Sequence, residues 1–313
     1  MKTKALFVLI VCALGVVLAG IALGAKGSIR QVARPRNETA PKPVVGSEET
    51  AKTVTTVNSH EDRKIIDSSS SEAAVTNTRL RNDLSWTFGG KSQRGWYLYD
   101  SLIRQTLRSE SDVTSNNFAK TLSAWQKLTN LKPSGVFDED SLNAMVSLWQ
   151  NNRLKNRAYA EASQLVTAPP TDFYDPERVS DLRQVERNAY LAYKQMVAAA
   201  AADPTLHLAK TPSGELLSTE KYFKIISSFR SREYQEELRR KSPQAGSAGL
   251  AVNSPHFTGK ALDIYVGGDP VDTKDSNRAI QVNSPAYKWL VRNADRFGFR
   301  PYFYEPWHWE YVR

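Results

Sequence analysis

Hydrophobic and polar positions divide the chain into unequal stretches. Residues 5–25 are an uncharged apolar run, preceded by Lys2 and Lys4. A bilayer crossing needs about 20 such residues. The run predicts a signal peptide or transmembrane anchor over residues 1–25. Residues 26–84 contain no aromatic residue and keep no apolar period; the stretch is rich in Ser, Thr, Val, Glu and Lys. Such a segment cannot bury enough surface to offset its ordering entropy, which predicts a disordered linker. Aromatics return at Trp86, Phe88, Trp96, Tyr97 and Tyr99. Three helices are predicted next, at about residues 96–107, 117–129 and 138–149. In the second, Phe118, Leu122, Trp125 and Leu128 recur at three- and four-residue steps, the spacing of a helix face. Asp138 is the expected N-cap of the third.

Residues 156–175 form a second connector, punctuated by Pro169-Pro170. A long helix is predicted over residues 176–202, ended by Pro204. Lys224 to Phe229 reads as a strand, followed by a helix over residues 233–241. Residues 261–266 alternate Ala261, Asp263 and Tyr265 against Leu262, Ile264 and Val266, the two-residue period of a strand. A helix over residues 286–297 stops at Gly298, and residues 302–311 supply a closing strand. Helices mixed with separate short strands indicate an α+β fold. The expected architecture is an α+β domain over residues 176–313, with a small antiparallel sheet and flanking helices, preceded by a small all-α module over residues 85–155.

Composition adds limits. The net charge of +9 is moderate, and no Lys/Arg cluster is dense enough to indicate nucleic acid. The single cysteine, Cys12, lies inside the apolar run, so neither a disulfide nor a thiolate metal site can form within the chain. Any metal must be held by His, Asp or Glu.

Two of the four histidines sit in motifs that supply this chemistry. One is Ser254-Pro255-His256-Phe257-Thr258-Gly259-Lys260-Ala261-Leu262-Asp263; the other is Glu305-Pro306-Trp307-His308-Trp309. His256, Asp263 and His308 offer two neutral nitrogens and one anionic oxygen. That is the three-ligand set of a catalytic zinc site, which keeps a fourth position for water. Zinc lowers the pKa of that water, and Glu305 is the general base for its proton. On a regular strand Glu305 and His308 would face opposite ways, so Pro306 has to interrupt the alternation. Arg230, a fixed cation, suits developing or terminal negative charge on a substrate. Ser254 either touches substrate or shapes the turn, and Trp307 is either core or substrate wall.

Residues 227–313 resemble the zinc D-alanyl-D-alanine carboxypeptidases of the VanY type. The resemblance rests on Ser228-Phe229-Arg230-Ser231 with Gln235 beyond it, on Ser254-x-His256-x2-Gly259-x-Ala261-x-Asp263, on Trp289 to Phe299, and on Glu305-Pro306-Trp307-His308-Trp309. It implies that His256, Asp263 and His308 bind one Zn2+, that Glu305 is the catalytic base, and that Arg230, Gln235, Ser254 and Trp307 contact substrate. Ser228, Pro255 and Phe257 depart from the usual family pattern. A second resemblance covers the helical segment: Phe118-x6-Trp125-Gln126, Leu131 to Asp138, and Ser141 to Ala144 are similar to the three-helix peptidoglycan-binding module. It implies wall glycan or stem peptide as a partner. The expectation is an extracytoplasmic cell-envelope enzyme, anchored or secreted, that hydrolyses peptidoglycan stem peptides. The alternatives are an endopeptidase cutting D,D or L-Ala-D-Glu bonds, and a non-catalytic wall-binding scaffold.

Overall fold

The computed structural model describes residues 59–241 and 253–313. The apolar run at residues 1–25 and the first part of the expected linker lie outside the described residues. Among the described residues, no helix is long and apolar enough to cross a membrane.

The linker expectation fails over its C-terminal part. Ser59–Asp83 is a helix, α1. Among its described side chains the buried ones are Ser70, Ala73, Ala74 and Asn77, none of them large and apolar, so the strip leaves little periodic signal. The strip packs on a later helix, α3 (Asn116–Leu128). Asn77 replaces hydrophobic bulk with hydrogen bonds. Its Nδ2 donates to the Gly135 carbonyl (2.9 Å), and its Oδ1 accepts from the Phe137 N–H (2.7 Å). A hairpin of β1 (Ser85–Phe88) and β2 (Lys91–Arg94) follows.

The predicted three helices are present as α2 (Asp100–Leu107), α3 and α4 (Glu139–Asn151). Asp138 caps α4 by accepting from the Ser141 N–H, as its residue type predicts. Buried Gln126 ties α3 to the turn that leads into α4. Its Nε2 donates to the Val136 carbonyl and to Ser141 Oγ, and its Oε1 accepts from the Gly135 N–H, each at 2.9 Å.

The predicted helix over residues 176–202 begins eleven residues late, as α5 (Arg187–Ala202). Residues Ser180–Arg183 form a 3-10 turn instead, and Gln184–Glu186 is a strand, β4, paired with β3 (Leu165–Thr167). Glu186 is the true N-cap, accepting from the Ala189 N–H at 2.9 Å. Arg183 reinforces the irregular stretch by donating to the Arg178 and Ala168 carbonyls.

The C-terminal sheet holds β5 (Ile225–Ser227), β6 (Ala261–Ile264), β7 (Phe299–Tyr302) and β8 (Glu305–Tyr311), all antiparallel, in the order β5-β6-β8-β7. Helices α6 (Arg232–Lys241), α7 (Asp275–Asn283) and α8 (Pro285–Asn293) flank it. This is the expected α+β arrangement, with α7 as an unforeseen helix. The N-terminal segment is not a separate bead. One core cluster runs from Trp86, Tyr99 and Trp149 through Phe303 to Leu290 and Trp309. The Phe303 ring meets Phe88, Tyr99 and Trp149 at centroid distances of 4.8, 5.5 and 5.8 Å.

Candidate metal centre

Strand pairing assembles the site. Asp263 on β6 lies opposite Ser227 on β5 and His308 on β8. The pairing of β8 with β7 is broken where Pro306 predicts it. Pro301 pairs with Trp309, yet the next residue, Tyr302, pairs with Glu305. Pro306, Trp307 and His308 thus form a bulge on β8, held by Trp309 Nε1 donating to the Pro306 carbonyl at 3.1 Å. The bulge lets Glu305 and His308 serve one site.

His256 arrives on a 3-10 turn, Pro255–Thr258. Ser254 caps that turn, its Oγ accepting from the His256 N–H at 3.3 Å. Gly259 ends it at φ +66°, a left-handed conformation that favours glycine.

The three predicted ligands converge. His256 Nε2 lies 3.4 Å from Asp263 Oδ1, His308 Nδ1 lies 2.9 Å from the same oxygen, and the three donor atoms are all within 4.8 Å of one another. Each imidazole has its other nitrogen committed. His256 Nδ1 donates to the Ser228 carbonyl at 2.7 Å, and His308 Nε2 donates to Glu310 Oε1 at 3.2 Å. Such partners fix the tautomer and aim the remaining nitrogen at a metal. Two nitrogens and a carboxylate oxygen, all buried and convergent, fit Zn2+.

Electrostatics distinguish the members. Burial, reinforced by the Arg230 charge, pushes His256 down to about 4, so the ring is neutral at pH 7. Burial works against charge on His308 as well, but hydrogen bonds to Asp263 and Glu310 outweigh it and hold the ring up to about 9, so Nδ1 carries a proton that metal binding would have to displace. Burial would raise Asp263 and Glu310, yet their cationic and hydrogen-bonding partners keep both well below the usual carboxylate range. Glu305 goes the other way: burial pushes it up to about 7, and its Oε1 is buried with no hydrogen-bond partner.

The predicted substrate residues divide. Arg230 is at the centre, with Nε donating to Ser227 Oγ and Nη2 to Asp263 Oδ2, each at 3.1 Å. The Oγ of Ser254 is engaged in capping. Gln235 is buried on α6 with its Oε1 unpartnered. Trp307 is fully buried with its Nε1 unpartnered, a place in the wall of the fold with no surface open to substrate.

Sequence reasoning missed two residues. Glu310 was detectable, since it follows His308 by two positions and so shares its strand face. Arg153 was not. It reaches Glu310 Oε1 from beyond α4, with Nε at 3.1 Å and Nη2 at 2.5 Å.

The family model of VanY, described as D-alanyl-D-alanine carboxypeptidase, matches residues 182–313. None of the curated proteins compared matches the chain. The matched span contains Arg230, His256, Asp263, Glu305 and His308, and it supports a carboxypeptidase-type peptidase acting on peptidoglycan. Arg153 and the whole helical segment before it lie outside the match.

Proposed function

We propose that this chain is a zinc-dependent peptidase of peptidoglycan stem peptides, a D-alanyl-D-alanine carboxypeptidase, with His256, Asp263 and His308 as metal ligands and Glu305 as general base. The observation that carries this reading is the convergence of three donor atoms within 4.8 Å in the same site as a buried, partnerless carboxylate oxygen. When bound, zinc would polarise the scissile carbonyl and acidify a water molecule.

The remaining work falls to the chain. Glu305, held near neutrality by burial, accepts a proton from the attacking water and returns one to the leaving amine. Water oxygen joins the carbonyl carbon, the C–N bond breaks, and the proton ends on the released D-alanine. Arg230 is fixed by Ser227 and Asp263 and makes no hydrogen bond through Nη1 among the described residues. That leaves a cation to stabilise the developing oxyanion or to hold the terminal carboxylate. Gln235, with its free Oε1, is a further candidate for substrate contact.

On this reading residues 85–155 are a wall-binding module and residues 1–25 a signal peptide or anchor that places the enzyme outside the cytoplasm. A tether to the insoluble wall raises the local substrate concentration.

Digestion of purified muropeptides followed by mass spectrometry tests the reading. Loss of one terminal D-alanine, abolished by a chelator and by Glu305→Gln, is the expected result. Conversion of cross-linked dimers to monomers would assign an endopeptidase instead. Binding to sacculi with no product would leave only a scaffold.

A further inference from the structure

We infer that Arg153, on the segment following α4, is a positioning residue for the metal centre: it holds Glu310, and through Glu310 the ring of His308, so the helical segment is built into the site. This rests on the reading of His308 as a zinc ligand.

Glu310 is fully buried, and its carboxylate has a complete set of partners. Oε1 accepts from Arg153 Nε and Nη2 and from His308 Nε2; Oε2 accepts from the Leu154 N–H at 2.9 Å. No other Lys or Arg pairs with Glu310 among the described residues. Arg153 and the adjacent Leu154 amide therefore grip both oxygens of the carboxylate, Arg153 on the same Oε1 that meets His308. They leave it one orientation, in which Oε1 meets Nε2. With Nε2–H engaged, Nδ1 is the nitrogen turned toward Asp263.

Arg153 is itself held on two sides. Its Nη1 donates to Gln150 Oε1 at 3.0 Å, in the last turn of α4, and its guanidinium lies 3.9 Å from the centroid of the Tyr302 ring. Tyr302 in turn packs edge-on to His308, at a centroid distance of 6.0 Å. Arg153 thus reaches His308 by a hydrogen-bonded path and by a packed one. A planar fork with a flat face serves both at once; a lysine ammonium keeps the charge but not the two-point grip. Arg153 precedes the matched span 182–313, so a domain cut at that boundary would lack it.

The test compares zinc affinity in the full chain, with zinc alone as the probe in competition with a chromophoric chelator. The proteins are the unmodified chain, Arg153→Met, Arg153→Lys, Glu310→Gln and the Met/Gln double variant. Disturbing a partner of a metal-binding histidine typically weakens affinity by about 10–100-fold, and that loss is expected for Arg153→Met. Arg153→Lys should lose less but still measurably. On the Glu310→Gln background, Arg153→Met should add no further loss, because the two act in one chain. The drop in turnover should fall on kcat with KM little changed.

Unchanged affinity in Arg153→Met, with only a lowered melting temperature of the metal-free protein, would overturn the inference. So would a loss that is simply additive with Glu310→Gln. If Arg153→Met fails to fold, Arg153→Lys decides, and wild-type affinity there overturns it too. If the unmodified chain binds no zinc, the metal reading itself has failed, and this inference with it. Binding by the unmodified chain alongside equal binding by the variants removes only the role of Arg153.

Discussion

Glu305 keeps a carboxylate oxygen buried and unpartnered, an arrangement that costs stability and persists where a group must be free to react. Its carboxyl is pushed up to about 7 by burial, so its ionised, proton-accepting form is lost as the pH falls through that value. The charge of bound zinc acts in the opposite direction. The acid limb of kcat/KM is therefore expected at or below pH about 7, with about a tenfold fall per unit beneath it and a plateau above. Glu305→Gln should cut kcat/KM by about 10²–10⁴-fold, leave zinc stoichiometry at one, and remove the acid limb from the residual rate. An acid limb that persists unchanged in Glu305→Gln would exclude Glu305 as the base. At this scale the site was largely legible. Four chemistry-bearing residues lie in two short motifs, and three of them, His256, Asp263 and His308, bring donor atoms within 4.8 Å of one another. The partners that fix the imidazole tautomers were not legible as a set. One is a backbone carbonyl, that of Ser228, which has no residue-type signature.

Elements were readable where their amphipathic period was unbroken and unreadable where polar residues carried the packing. The face of Phe118, Leu122 and Trp125 locates α3 to within a residue, whereas α1, buried through Ser70, alanines and Asn77, reads as linker. The start of α5 was misplaced because residues 180–186 carry the same mix of apolar and polar residues as a helix, while Arg183 and Glu186 fix a turn and a cap there. The turn between His256 and Asp263 shows how tightly an element's end can be specified. Gly259 has φ +66°, and a Cβ there would sit 2.8 Å from the Glu186 nitrogen and from Leu165 Cδ2. Its carbonyl also accepts from that Glu186 N–H at 3.0 Å. Gly259→Ala combines a strained backbone with a clash against backbone, for an expected loss of about 2–4 kcal/mol. Thermal melting of the zinc-free protein measures the loss, and weaker zinc binding should accompany it, since the turn carries His256 and leads into the strand of Asp263. Melting within a degree of the unmodified protein would show that the turn yields more readily than its contacts imply.

For the whole molecule, the sequence suggests a tethered pair, a helical binder followed by a catalytic domain, because residues 156–175 read as a connector. The described residues depict a tighter union. Phe303, in the turn between β7 and β8, is enclosed by Phe88, Tyr99 and Trp149, all from the N-terminal segment. Arg278 on α7 donates to the Tyr99 hydroxyl at 3.4 Å and to the Tyr304 carbonyl at 3.3 Å. These contacts were illegible because they join residues far apart in the chain whose aromatic character fits a module's own core equally well. They bear on stability directly. A core shared in this way melts as one unit, so calorimetry of the described region should show a single transition, and zinc should shift all of it through its linkage to the folded state. A chain beginning at residue 156 would expose Phe303 and leave Glu310 buried without Arg153. The first loss removes aromatic cover; the second strips the Glu310 carboxylate of three of its four hydrogen bonds and leaves only His308, and breaking a buried ion pair costs about 3–5 kcal/mol. With total stabilities of about 5–15 kcal/mol for a domain, that fragment should be unfolded or aggregated at 37 °C by circular dichroism. Two separate transitions in the full chain, or a folded fragment with native zinc affinity, would restore the picture of two independent parts.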